Sequence, residues 1–112
     1  MIAPLKSKKK IDVLFEKGTV RKEKNLFIRY YDFRDKVIHF GVSVSKRFFK
    51  SAVTRNRLKR RMRESVRKNP KINEIKKGTS FFLIYNTSKE HSFQDINKKV
   101  CTLVDNLISK SN

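Results

Sequence analysis

Residues 79–85, Thr-Ser-Phe-Phe-Leu-Ile-Tyr, form a nearly unbroken apolar run in a chain of 112 residues of which 35% are charged. A segment of this length, rich in aromatic and β-branched residues and without polar alternation, suits a strand buried on both faces in the middle of a sheet. The remaining elements must supply its neighbours and cover its sides. Residues 25–31 and 36–45 have strand composition and bound a polar turn at 32–35, so they are expected to pair as a hairpin. In the second of these, Ile38, Phe40, Val42 and Val44 alternate with Val37, His39, Gly41, Ser43 and Ser45, which gives one core face and one open face. Around Gly41 and Ser43 the open face is small and polar, which suits solvent or a closely approaching ribose-phosphate backbone. An extra edge strand is possible near residues 19–22.

Three helices complete the pattern. Ile11, Leu14 and Phe15 stand at i, i+3 and i+4 after Ser7, and Gly18 stops this short first helix. Ile11 and Phe15 suit either core packing or the edge of a groove in which a base could stack. Ser92 caps a last helix whose Phe93, Ile96, Val100, Leu103, Val104, Leu107 and Ile108 recur at helical spacing and form a core stripe. Residues 1–10 are expected to be a basic, loosely ordered lead, and residues 71–78 a basic connection that follows the Asn69-Pro70 helix stop.

The middle helix carries the function. Residues 46–68 hold eleven Lys or Arg against one acid, Glu64, and Arg outnumbers Lys there although Lys dominates elsewhere. Leu58, Met62, Ser65 and Val66 share one narrow face. Asn56, Lys59, Arg60, Arg63 and Arg67 share the opposite one, flanked by Arg57, Arg61 and Lys68. Guanidinium groups offer planar, two-pronged donors to phosphate oxygens, which a purely solubilising surface would not require. Asn56 adds an amide able to donate and accept toward a base edge or a sugar hydroxyl. Ser51 and Thr54 are candidate caps at the helix start, where free backbone N–H groups favour anions.

The length suits one domain over residues 1–112, since domains commonly run to about 100 to 150 residues. A formal net charge of +19 points to nucleic acid before membrane. No apolar run approaches the roughly 20 residues of a membrane span, and no signal-peptide pattern follows Met1, so a cytoplasmic location is expected. A nuclease acting alone would need a poised acid and base or a carboxylate cluster for metal. The ten acids are scattered, the two histidines stand fifty-two positions apart, and Cys101 has no partner for a disulfide or a zinc site. Neither catalytic nor metal-ligating residues are expected on the polypeptide, and no small-molecule substrate is expected.

Residues 41–64, GVSVSKRFFKSAVTRNRLKRRMRE, resemble the bacterial ribonuclease P protein component family, in which a Val-Ser-Lys strand end leads through a short loop into an Arg-Asn-Arg helix. The resemblance extends over most of the chain: the short helix with an aromatic before Lys17-Gly18, the strand ending in Tyr30, the apolar strand and the final amphipathic helix follow the family's order. It implies an α+β fold, a small α/β sandwich of αβββαβα type with a left-handed crossover, similar to a domain found in ribosomal proteins. The handedness comes from the resemblance alone, because right-handed crossovers are overwhelmingly the rule.

The implied function is that of the protein subunit of an endoribonuclease that removes the 5′ leader from precursor tRNA, the RNA subunit being the catalyst. By the resemblance, Lys46, Arg47, Arg55, Asn56, Arg57, Lys59, Arg60 and Arg63 contact the catalytic RNA, while Ile11, Phe15, Ile28, Tyr30 and Ser43 line a cleft for the leader. Mg2+ is implied as the cofactor, held chiefly by RNA phosphates. Three features depart from the family's usual pattern: Phe48-Phe49 in the loop where a glycine is usual, Asn86-Thr87-Ser88 in place of an Arg-Lys-Pro type turn, and Ile11 where an aromatic is typical. Two other classes stay open on the residues: a ribosomal or RNA-chaperone protein with a similar sheet, and a DNA-binding protein that places the basic helix in a major groove. The absence of dimerising heptads counts against the latter.

Overall fold

The apolar run at 79–85 folds as a strand, and the rest of the sheet is built outward from it. The computed structural model describes residues 2–111, in the order β1 (Ile2–Pro4), α1 (Lys8–Lys17), β2 (Thr19–Glu23), β3 (Leu26–Asp32), β4 (Ile38–Val44), α2 (Ala52–Arg67), β5 (Thr79–Tyr85) and α3 (Phe93–Ser111). From α1 onward this is the implied αβββαβα sequence. The strands lie in the order β1-β4-β5-β3-β2, so β5 is central. It runs parallel to β4, from His39 opposite Ser80 to Val44 opposite Tyr85, and antiparallel to β3, from Leu26 opposite Tyr85 to Asp32 opposite Thr79. The parallel pair β4 and β5 is joined through α2, which makes the crossover.

The expected hairpin between β3 and β4 does not form, because β5 lies between them. Two inter-strand spacings, about 9.6 Å, separate β3 from β4, and residues 33–37 span the gap across the start of β5. Gly78 makes that passage possible. Its φ of +92° is in the left-handed region, and a Cβ there would come within 2.8 Å of the Asp35 backbone. The Phe33 N–H donates to the Gly78 carbonyl at 2.9 Å and fixes the crossing.

The lead is also ordered, contrary to expectation. Ile2, Ala3 and Pro4 pair in parallel with Ile38, His39 and Phe40, and Leu5 is buried with its N–H donating to the Phe40 carbonyl at 2.8 Å. Ile2-Ala3-Pro4-Leu5 is an apolar quartet ahead of the lysines, and Pro4 is tolerated because the strand is at an edge. Met1 lies outside the described residues. The extra strand near 19–22 is β2, paired with β3 on the other side of the sheet. Within the 71–78 connection, a 3-10 turn at Ile72–Glu74 buries Ile72 and Ile75 in the core, so that segment packs as well as connects.

One face of the sheet carries α2 and α3. Leu26, Ile28, alternate residues of β4 and β5, Leu58, Met62 and Val66 of α2, and the α3 stripe form a single buried cluster. Truncating a large ring in such a layer, Phe81 for example, costs about 3–5 kcal/mol. Ser65 is fully buried where α2 meets α3, and its hydroxyl donates to Asn97 Oδ1 at 2.6 Å, so the one polar side chain on the anchoring face is satisfied. α1 covers part of the opposite face through buried Leu14 and the Phe15 ring on Phe82. The strand β5 is therefore buried on its core side, while Phe82 and Ile84 on its other side are only half-buried.

Candidate nucleic-acid interface

Ser51 starts α2 as its N-cap, its hydroxyl accepting from the Thr54 N–H at 3.4 Å, which leaves Thr54 inside the helix and not at its cap. Burial of Leu58, Met62, Ser65 and Val66 fixes the rotation of the helix, and Asn56, Arg60, Arg63 and Arg67 consequently face solvent. The predicted sorting of cations is what the structure has. The individual side chains, however, are not equivalent. Arg55 is half-buried and turns back, its Nη1 donating to the Phe49 carbonyl at 2.7 Å and the Lys50 carbonyl at 2.9 Å, so it shapes the loop that precedes the helix. Lys59 is half-buried, whereas Lys46 and Arg47 are exposed in that loop, the Arg47 guanidinium lying 5.6 Å from the Phe48 ring centroid.

Arg57 is engaged by an acid that periodicity could not associate with it. Glu90 accepts from Arg57 Nε at 2.7 Å and from Nη2 at 3.1 Å, a two-pronged pair, and lies 3.3 Å from Arg61 Nη1. The Arg57 hydrogen bond holds the Glu90 carboxyl below its ordinary range. Arg61 also donates to the His91 carbonyl at 2.7 Å. Tyr85 braces the same loop, its hydroxyl donating to the Lys89 carbonyl at 2.5 Å and accepting from the His91 N–H at 2.9 Å. Arg60 and Arg63, by contrast, make no ion pair among the described residues.

The second region is the sheet face beside α1. Phe15 is 44% exposed, with its ring 5.6 Å from that of Phe82 at 49°. The Arg29 guanidinium lies 5.3 Å from the Phe15 ring centroid and donates to the Phe15 carbonyl at 3.1 Å. Ile11 and Ser43 are half-buried, Ser43 on the open face of β4. Ile28 does not belong here: it is fully buried in the core cluster on the far side of the sheet, and Tyr30, on the same side as Ile28, packs against that cluster. The residues of β3 on the α1 side are Phe27, Arg29 and Tyr31. Arg29 held the signal, since a cation in an alternating strand marks the side that is not core.

Gly41 also has a different role from the one expected. A Cβ there would lie 2.8 Å from the Phe82 ring, so the missing side chain makes room for that ring and not for a sugar-phosphate backbone. Phe82 is thereby set between Gly41 and Phe15. Beside it, His39 Nδ1 and Ser80 Oγ, on register partners, are buried atoms without a hydrogen-bond partner among the described residues, polar groups that water or a bound ligand would satisfy. At one end of the sheet, Lys76 and Lys10 hold the Asp32 and Asp35 carboxyls below their ordinary range, chiefly through side-chain hydrogen bonds. These acids are thus neutralised locally. Among the described residues no three His, Cys, Asp or Glu side chains converge as a metal ion would need, and no helix is long and apolar enough to cross a membrane.

A family model described as Ribonuclease P matches residues 3–108. The ribonuclease P protein component of Clostridium kluyveri is 39% identical over 82 residues, which cover 71% of this chain and 72% of that protein. Among solved structures, the RNase P protein of Thermotoga maritima has a TM-score of 0.78 and 21% identity, over 92% of this chain and 96% of that one. The RNase P protein of Staphylococcus aureus has a TM-score of 0.77 and 19% identity, over 97% of each chain. At those identities the two structures establish the fold.

Proposed function

The chain belongs to the ribonuclease P protein family, and we propose that it acts as the protein subunit of a ribonucleoprotein that cleaves the 5′ leader from precursor tRNA, the RNA subunit performing the chemistry. The observation that carries this proposal is the solvent-facing row of Asn56, Arg60 and Arg63 on α2, held outward by a fully buried opposite face. Such a row fits phosphates of a folded RNA. Lys46, Arg47, Arg57 and Lys59 extend it, and Arg55 supports it by ordering the preceding loop. The leader lies on the α1 side of the sheet, with Phe15 as the exposed ring on which a base stacks and Ile11 and Ser43 beside it. Phe27, Arg29 and Tyr31 replace Ile28 and Tyr30 in that role.

Mg2+ in this proposal is held by RNA phosphates. The polypeptide contributes a positive field that strengthens leader binding and, by neutralising phosphate charge, lowers the ion concentration that folding and cleavage require. Reconstitution tests the proposal. With a matching catalytic RNA the protein should restore precursor-tRNA cleavage at low Mg2+, and by itself it should cleave nothing. A folded preparation that leaves both the RNA's activity and its affinity for leader-bearing substrate unchanged overturns the proposal.

A further inference from the structure

A cavity of about 460 Å³ opens between the β2–β3 turn, the loop before α3 and the first turns of α3, away from the outward face of α2 and from the α1 side of the sheet. Lys24, Lys89, Lys98 and Lys99 line it, and none of the four is ion-paired among the described residues. Two carboxylates, Glu23 and Asp95, also reach the cavity, so four lysines against two acids leave an excess of positive charge in a concave space. Chain geometry converges on this placement. Lys24 holds a left-handed φ of 53° at the turn, a conformation more often taken by glycine or asparagine, and Lys98 and Lys99 follow from the rotation of α3 that buries Ile96 and Val100.

The cavity is joined to the α2 surface by three consecutive residues. Lys89 and His91 line it, while Glu90 between them points the other way and grips Arg57 and Arg61. A strand following α2 therefore meets the cavity after crossing one short, Tyr85-braced loop. His91 senses the field: burial first, then the Lys99 charge, lowers its pKa.

We infer that this lysine-lined cavity is a second phosphate-binding surface, which takes a backbone turn of the same folded RNA that lies on α2. Asn25 and Thr102 at its wall supply neutral hydrogen-bonding groups suited to ribose hydroxyls. The inference rests on the proposed RNA partnership, and the test separates the two. Full-length protein carrying Lys98→Gln with Lys99→Gln, or Lys24→Gln with Lys89→Gln, is compared with Arg60→Gln plus Arg63→Gln for binding to catalytic RNA across a salt series. These lysines are exposed or half-exposed, so the variants should fold.

For every phosphate that a variant no longer neutralises, the slope of log affinity against log salt should become shallower by about 0.7 to 0.9, equivalent to roughly five- to eightfold weaker binding at 0.1 M salt. Both lysine pairs should show this without changing the ratio of affinities for substrates with and without a leader. Unchanged affinity and slope in the lysine variants, alongside weaker binding by the arginine variant, overturns the cavity and leaves the α2 interface standing. If no variant has an effect, both fail.

Discussion

The outward face of α2 and the α1 side of the sheet are opposite solutions to nucleic-acid binding. On α2 the outward groups are cations and Asn56, with no aromatic residue in the helix, displayed on a regular helix whose far side is core. On the α1 side of the sheet the exposed group is a ring, Phe15 of α1, supported by Phe82 and crossed by a single guanidinium, Arg29. Charge attracts any polyanion and weakens as salt rises, whereas base stacking needs an unpaired base and responds little to salt. In the proposed complex, affinity and discrimination are thus assigned to different surfaces: α2 holds the RNA, and the sheet tells a single-stranded leader from a paired end.

The sharpest way to break this division is to remove charge from α2 alone. Replacing Lys59, Arg60 and Arg63 together by Gln should weaken binding to catalytic RNA more than a hundredfold, with a salt slope shallower by roughly 2.1 to 2.7, if each contacts one phosphate. The preference for leader-bearing substrate should survive, and so should the thermal midpoint, since surface substitutions of this kind usually fall within about 0.5 kcal/mol. A normal slope would mean that these side chains meet only solvent.

Phe15→Ala should do the reverse. Loss of one stacked base costs about 1 to 3 kcal/mol, read as a fall in affinity for leader-bearing substrate relative to the leaderless product, while the salt slope and the affinity for catalytic RNA stay as they are. Equal losses for both substrates would show that the ring serves packing.

How much of this was legible in the sequence follows from what periodicity encodes. Alternation and helical spacing report which way a side chain faces, so the core positions of β4, α2 and α3 were readable from residue type. They do not report which strands are neighbours, and β3 and β4 do not pair as expected because adjacency in sequence is a poor guide to adjacency in space. A three-residue strand such as Ile2–Pro4 is too short to show any period. Family resemblance puts Ile28 and Tyr30 in the cleft, against the parity that Arg29 sets within the same strand. The fit of the Phe82 ring over Gly41 joins residues forty-one positions apart, and the grip of Glu90 on Arg57 spans thirty-three, distances at which a single sequence gives no signal.

That grip offers the smallest and most specific test of the comparison, because it sets an internal carboxylate against RNA for one guanidinium. Glu90 fills the Arg57 fork that two phosphate oxygens would otherwise take. Glu90→Gln should therefore tighten RNA binding a few-fold, steepen the salt slope, and leave leader discrimination untouched; equal or weaker binding would mean that Glu90 positions Arg57 for RNA instead of competing with it. The effect on the free protein has the opposite sign. A carboxyl whose folded pKa lies below its ordinary value of 4.5 contributes stability that is present above that value and is lost as pH falls through the lower one. Wild type should thus unfold at a slightly higher temperature than Glu90→Gln near neutrality, and the two curves should merge on acidification below the ordinary carboxylate range. The gap stays small because solvent screens an ion pair at the surface. No gap near neutrality would show that the loop is held by the Tyr85 brace and by backbone contacts alone, and a gap that persists in acid would mean that it does not come from the Glu90 charge.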